Sequence, residues 1–157
     1  MTVRRWSIAT LVATHNRIAL DANIVIYLIE NAEVHVARAA AVLDAIEEHG
    51  LRATMATLGQ VEILTGSART GDQVVFERVA EEIRSMDLRF EPLTQAIAED
   101  AAWVRGQGRL KLADSIHVAS ARATGATAFI TNDRRIGAQA GLDVFYLDDL
   151  VLEQPLP

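Results

Sequence analysis

Short apolar runs alternate with longer amphipathic stretches between residues 17 and 147. The short runs are rich in Val, Ile, Leu and Phe, and they predict five strands, at 17–20, 51–54, 88–92, 127–131 and 144–147. The longer stretches predict helices that begin in the run 24–28 and then cover 34–48, 57–65, 72–86, 94–105 and 112–124. Strands separated by helices predict a parallel sheet with helices on both faces, because right-handed crossovers leave few other topologies. The predicted fold class is therefore α/β.

A few residues predict where helices begin and end. Gly50 and Gly66 are predicted to end helices, Thr94 to cap the next one, and Gly106 and Gly108 to interrupt it. No repeat, linker or low-complexity segment divides the chain. Its 157 residues therefore predict a single globular domain.

Composition excludes several kinds of chemistry. The chain has no cysteine, which excludes a disulfide scaffold, a thiolate nucleophile, an iron–sulfur cluster and a Cys-ligated zinc, and favours a reducing setting. Its formal net charge is -6, with Lys111 as the only lysine beside the arginines. A cationic sheath that grips polyphosphate by charge alone is therefore not expected, and any contact with nucleic acid must be local or metal-assisted.

The beginning of the chain superficially resembles a secretory signal. Arg4 and Arg5 precede the apolar run 8–12, but this run is short and no A-x-A cleavage site follows it. No later segment has 18 uninterrupted apolar residues. We therefore expect a cytoplasmic protein that does not enter a membrane.

Two acidic residues stand directly after predicted strands. Asp21 follows the strand 17–20, and Asp133 follows the strand 127–131 by one residue. Each could simply cap the N-terminus of the next helix. In an open parallel sheet, however, ligands collect outside the carboxyl ends of the strands, where strand order reverses. The two carboxylates are therefore also candidates for a shared site.

Two further acidic residues lie within predicted helices. Asp114 shares a helix face with Val118 and Ala121, although an acid in a first turn is also favoured by the helix dipole. Glu62 lies between Val61 and Ile63, so its pattern predicts burial, with an exposed glutamate as the alternative. A buried carboxylate without a partner is costly or takes up a proton.

The four acids together suggest one kind of chemistry. If the helices bring Glu62 and Asp114 to the edge that carries Asp21 and Asp133, their charges repel, and only protons or cations relieve the repulsion. All-oxygen ligation without Cys or His suits Mg²⁺ or Mn²⁺. The pattern therefore favours metal-assisted hydrolysis of phosphodiesters.

Four segments carry a resemblance to a known family. They are 20–28 (LDANIVIYL), 61–66 (VEILTG), 112–121 (LADSIHVASA) and 131–133 (TND). In this order and spacing they resemble the PIN-domain ribonucleases, specifically the VapC-type toxins of bacterial toxin–antitoxin pairs. The resemblance covers residues 17–150 and leaves 1–16 as an N-terminal extension of unknown role and 151–157 as a C-terminal tail.

The resemblance implies a fold, an activity and partners. The fold would be a three-layer α/β/α sandwich around a mostly five-stranded parallel sheet, and the activity a Mg²⁺- or Mn²⁺-dependent endoribonuclease. Asp21, Glu62, Asp114 and Asp133 would form the metal-binding catalytic quartet, with Asn23 and Thr131 as supporting residues. A homodimer and a small antitoxin whose tail occupies the active groove are also implied, and RNA is the implied substrate.

Other residues near these motifs have two interpretations. Arg134 and Arg135 could steady a phosphate or belong to a solvated turn. His117 is interpreted as a histidine packed beside the site rather than a ligand, since hard-ion sites rarely need imidazole. Trp103 is interpreted as a packing or interface residue, because no basic aromatic stripe surrounds it. Gly59 departs from the family pattern, in which a small hydroxyl residue or a helix former is usual at that place.

Two other functions compete with the nuclease. A haloacid-dehalogenase-like phosphatase also begins with an Asp after a strand, but Asn23 stands where that class needs a second Asp, and Lys111 is the only lysine. A non-catalytic protein could instead hold the basic segment of a partner in an acidic groove. Dependence on a divalent ion separates the binder from the enzymes, and release of phosphate from small monoesters identifies the phosphatase.

Overall fold

The computed structural model describes residues 3–153, so parts of the predicted extension (1–2) and of the predicted tail (154–157) lie outside this range. The helices are α1 Ile8–Thr14, α2 Ala22–Ile29, α3 Val36–His49, α4 Thr57–Ala68, α5 Gln73–Ser85, α6 Gln95–Gln107 and α7 Leu112–Ala123. The strands are β1 Arg17–Leu20, β2 Arg52–Ala56, β3 Arg89–Glu91, β4 Ala128–Thr131 and β5 Asp143–Tyr146, and a 3₁₀ turn covers Leu147–Asp149. No helix among the described residues is both long and apolar enough to cross a membrane.

The five strands form one parallel sheet in the order β3-β2-β1-β4-β5. The chain moves outward from β1 to β3 on one side, and then crosses over to build β4 and β5 on the other. Strand order therefore reverses between β1 and β4, where Leu20 lies opposite Ile130. A crevice at the carboxyl ends of these two strands is where open α/β sheets bind ligands.

Helices cover both faces of the sheet, which confirms the predicted three-layer architecture. Side chains of β1 alternate between the layers: Ile18 and Leu20 join the core beneath α1 to α5, whereas Ala19 packs with α6 and α7. This alternation follows from the two-residue period of a strand. Because both faces are buried, β1 and β4 are apolar over nearly their whole length, as the sequence pattern indicated.

Residues 3–16 are packed onto the domain. Trp6 is buried, donates a hydrogen bond from Nε1 to the carbonyl oxygen of Tyr146 at 2.8 Å, and forms a bridge with Leu150. Ser7 caps α1, and Leu11 on that helix is fully buried. The sequence pattern had predicted no element here, because one helix of seven residues is too short to show a clear period.

Two glycines predicted to break helices lie inside them. The helix α4 continues past Gly66 to Ala68, and α6 continues past Gly106 to Gln107. Neither glycine has a positive φ, whereas Gly50, which does end α3, has φ +60°. A glycine ends a helix when the backbone turns left-handed, and packing against the sheet keeps α4 and α6 helical instead.

Gly59 allows α4 to approach β2 and α7 closely. A Cβ at this position would lie 2.5 Å from Sδ and 2.7 Å from Cγ of the buried Met55, and 3.1 Å from Cε1 of His117. Real Cβ atoms essentially never come within 3.0 Å of another heavy atom. The departure from the family pattern therefore has a steric reason.

Two glycine substitutions in α4 should have opposite effects. Gly59→Ala should destabilise the protein by about 1 to 3 kcal/mol, because the added methyl overpacks the contact with Met55. Gly66→Ala is the matched control: its nearest neighbour is Glu30 Oε1 at 3.7 Å, and the helix should gain up to about 1 kcal/mol. Urea denaturation of both variants measures the change in the free energy of unfolding. Equal stabilisation by the two substitutions would contradict the role of Gly59 in the close approach of α4 to β2.

Candidate active site

Asp21 lies at the N-terminus of α2 but does not cap it, since its side chain makes no hydrogen bond to the helix backbone. The carboxylate is buried, and its Oδ2 accepts a hydrogen bond from Thr131 Oγ1 at 2.7 Å. Asn23 Nδ2 approaches the same oxygen at 3.4 Å. Burial raises the pKa of Asp21, and this effect outweighs the opposing influence of His117 and Thr131. The structure therefore favours the functional interpretation of Asp21 over the helix cap.

Thr131 links the first and last acids of the predicted quartet. Its hydroxyl donates to Asp21 and accepts a hydrogen bond from the backbone N–H of Asp133 at 3.0 Å. Thr131 is fully buried at the end of β4, so this link is shielded from water. One threonine thus orients both sides of the crevice between β1 and β4.

Glu62 reaches the site through His117. Glu62 Oε1 lies 2.6 Å from His117 Nε2, and the same nitrogen lies 3.7 Å from Asp21 Oδ1. Burial opposes a charge on the imidazole, but the hydrogen bond with Glu62 and the nearby carboxylates outweigh it and raise the pKa of His117. His117 Nε2 therefore lies between two of the acids, at 2.6 Å from Glu62 Oε1 and 3.7 Å from Asp21 Oδ1.

Glu62 is more open to solvent than its sequence pattern predicted. Its side chain is 37% exposed, and the neighbouring Val61 is 61% exposed, so this face of α4 is not part of the core. The prediction of a buried glutamate was wrong, because apolar flanking residues do not show which face of a helix is directed toward the core. Glu62 nevertheless lies close enough to Asp21 for its charge to raise the pKa of Asp21.

Asp114 and Asp133 complete the acidic group. Burial raises the pKa of the half-buried Asp114, and the charges of Asp21 and Asp133 raise it further. Asp133 has a lowered pKa, chiefly because Arg135 donates hydrogen bonds to its carboxylate at 2.6 to 3.1 Å. The structure thus brings all four predicted acids to one end of the sheet.

The two arginines after Asp133 have different partners. Arg135 binds Asp133, as described, and lies near Asp114. Arg134 forms a two-pronged pair with the buried carboxylate of Asp149, at 2.6 and 2.8 Å, and stacks 4.4 Å from the ring centroid of Tyr146. Arg134 is thereby tied to the end of β5, and Arg135 is the arginine in contact with the acidic group.

The donors suit a hard divalent cation, although residues 3–153 contain no set of three His, Asp or Glu side chains already converged as a metal cluster. Asn23 Oδ1 is buried next to Asp21 and has no hydrogen-bond partner. Such an orphaned acceptor is costly unless something electropositive meets it. Together with carboxylates whose pKa values are raised by burial and mutual repulsion, it fits Mg²⁺ or Mn²⁺.

Sequence reasoning underestimated two histidines. His117 is indeed packed beside the site, but it also binds Glu62, and its position one turn after Asp114 was the available signal. Sequence reasoning assigned no role to His15. It is buried and lies 2.7 Å from Thr127 Oγ1 and 3.2 Å from Asp143 Oδ2.

A sequence model of the PIN domain matches residues 18–142, which is most of the chain. This chain belongs to the PIN-domain family. The family resemblance seen in the sequence is thus confirmed, and residues 3–17 lie before the part that the PIN model matches.

Solved structures support the PIN fold. A chain of a toxin–antitoxin complex from Klebsiella pneumoniae is 21% identical with a TM-score of 0.62, and covers 80% of this chain and 94% of its own. A chain of VapBC2 from Rickettsia felis, bound to a DNA fragment from its promoter, is 14% identical with a TM-score of 0.67 and covers 83% and 98%. No curated protein matches the sequence.

Replacing Asp21 should have opposite effects on the stability of the metal-free protein and on its stabilisation by Mg²⁺. A folded-state pKa above the unfolded value means that the carboxylate lowers stability as pH rises through that range. In EDTA, the Asp21→Asn variant should therefore have a melting temperature equal to or higher than that of the wild-type PIN domain. In wild type, Mg²⁺ at about 100 times its Kd should add about 2.7 kcal/mol, and this gain should vanish in the variant.

Asp44→Asn is the matched control for this measurement, because Asp44 is an exposed aspartate on α3, away from the site. Differential scanning fluorimetry with Mg²⁺, Mn²⁺ and EDTA compares the three proteins. A full Mg²⁺-induced shift in Asp21→Asn would contradict the assignment of Asp21 as a ligand.

Proposed function

We propose that this PIN-domain protein is a divalent-metal-dependent endoribonuclease that acts as the toxin of a toxin–antitoxin pair. The observation that carries the proposal is the meeting of Asp21, Glu62, Asp114 and Asp133 where strand order reverses. The family match and the two toxin–antitoxin neighbours support the same assignment.

Asp21, Asp114 and Asp133 would hold Mg²⁺ or Mn²⁺, with Asn23 and Thr131 keeping the first carboxylate in place. When bound, the ion supplies neutralisation of phosphate charge and a water of lowered pKa. The carboxylate of Asp21 is well prepared for this role, because Thr131 and Asn23 fix its orientation before any ligand arrives.

Glu62 would accept a proton from the attacking water and orient it toward phosphorus. The hydrogen bond with His117 involves Glu62 Oε1, so the second carboxylate oxygen would be available for that task. His117 is thus a positioning residue rather than a ligand in this mechanism. Its charge also lowers the repulsion between Glu62 and Asp21.

Arg135 would exchange partners during the reaction. It binds Asp133 with its guanidinium and therefore neutralises one member of the quartet. Asp133 would help to hold the divalent ion, and the guanidinium of Arg135 would then bind a phosphate of the RNA. Arg134 has no such freedom, because Asp149 and Tyr146 hold it.

The direct test is cleavage of a mixed cellular RNA pool with Mg²⁺, Mn²⁺ or EDTA. Wild type and the control Asp44→Asn should cut in either metal and not in EDTA, and Asp21→Asn should show only background cutting. Cutting by Asp21→Asn at the wild-type rate would reject the metal mechanism. Metal-independent binding of a basic peptide without cleavage would favour the acidic-groove binder, and release of phosphate from small monoesters would favour a phosphatase.

The partner prediction needs a separate measurement. A small antitoxin with a basic tail would be drawn to the acidic crevice, and the pairing should weaken at high salt. Co-purification with the product of the neighbouring gene, followed by light scattering, should show a complex and also reveal whether this chain is a homodimer. A monomer that binds no neighbouring gene product would reject both partner predictions.

A further inference from the structure

A cavity opens next to Asp133, at the edge of the group of four acids. It measures about 870 Å³ and lies between the end of α6, the α6–α7 connection and the loop from 135 to 141. Its lining includes Trp103, Arg109, Arg122, Arg135, Gly137 and Gly141. We call it the tryptophan cavity.

Trp103 is the feature that gives this cavity its chemistry. The side chain is 68% exposed on α6, whereas the chain's other tryptophan, Trp6, is buried. An exposed indole offers a flat aromatic face on which a planar ligand can stack. The loop opposite it contains glycines, and a Cβ at Gly137 or Gly141 would meet nothing within 4 Å, so a flat ring has room to enter.

The charge of the tryptophan cavity opposes that of the whole protein. The net charge of the chain is -6, yet three arginines line this one cavity and its only lining carboxylate is Asp100. Asp100 lies 3.6 Å from Arg122, and among residues 3–153 no acid lies within salt-bridge distance of Arg109. Lys111 adds positive charge nearby, since its field reaches Asp133. The ligand is therefore expected to be anionic as well as aromatic.

Arg135 connects the tryptophan cavity to the catalytic acids, because it lines the cavity and binds Asp133. A ligand in the cavity and a phosphodiester at the acids would thus be neighbours. Single-stranded nucleic acid has both required features, since its bases stack on aromatic side chains while guanidinium groups hold its phosphates.

We propose that the tryptophan cavity is a nucleotide subsite, in which a base of a single-stranded RNA stacks on Trp103 and the flanking phosphates bind Arg109 and Arg135. This proposal rests on the proposed ribonuclease function and adds to it an anchoring point next to the cleaved bond. It differs from the interpretation of Trp103 as a packing or interface residue, because three arginines line the cavity beside the indole.

The two tryptophans make stacking directly measurable. A 12-nucleotide oligoadenylate is titrated into Asp21→Asn protein with Mg²⁺, so that binding is observed without cutting. Tryptophan emission should be quenched, because the exposed indole belongs to Trp103. Adding Trp103→Ala should abolish the quenching and weaken binding about tenfold, whereas Trp103→Phe should retain most of the affinity.

The arginine contact has a matched control four residues earlier, near the end of α6. Arg109→Ala should weaken binding and reduce the slope of log K against log salt by about one, as expected for one lost phosphate contact. Arg105→Ala removes the same charge from an exposed position of α6 outside the cavity lining and should change neither quantity. Val74→Ala, at another exposed apolar residue, controls for general surface effects.

Cleavage by proteins with an intact Asp21 separates this proposal from the nuclease proposal. Trp103→Ala should raise the KM for RNA about tenfold. If wild type cuts RNA but Trp103→Ala has unchanged KM and affinity, the subsite is rejected and the nuclease stands. If nothing cuts but quenching and its loss are observed, the nuclease is rejected and the subsite stands. A changed oligomeric state with unchanged RNA affinity would make Trp103 a protein contact and overturn the proposal.

Discussion

Four carboxylates gather at one end of the sheet of this PIN domain, where burial and the neighbouring charges raise the pKa of Asp21 and Asp114. Two unit charges 4 Å apart repel by about 4 kcal/mol at an effective dielectric of 20, and burial adds to the cost for Asp21. The fold offsets this repulsion with its own cations, His117 between Glu62 and Asp21 and Arg135 against Asp133. These contacts hold the acids beside cationic side chains.

The position of His117 depends in turn on Gly59. A Cβ at Gly59 would lie 3.1 Å from Cε1 of the imidazole and closer still to Met55, so the missing side chain lets α4 lie close to both β2 and α7. This approach places Glu62 on α4 within reach of a histidine on α7. A glycine that weakens a helix locally thus supports the site through packing, and its contribution is visible only from the neighbouring elements.

Acidic and basic side chains occupy two separate regions of the site. Acids gather at the strand ends where chemistry is proposed, and arginines gather around Trp103 where an anionic ligand would be held. Arg135 belongs to both regions. Positive charge is thus concentrated locally on a protein whose net charge is -6.

The sequence alone determined the α/β class, the five strands and the membership of Asp21, Glu62, Asp114 and Asp133 in one group. Strand and helix periods are local, and acids after strands report on a sheet edge wherever the strands lie. Only the tertiary structure decided that Glu62 is partly exposed to solvent and hydrogen-bonded to His117. It also decided that Arg134 pairs with Asp149 whereas Arg135 pairs with Asp133. His117 and Glu62 are 55 positions apart, and contacts of that kind depend on strand order and helix approach, which no local pattern contains.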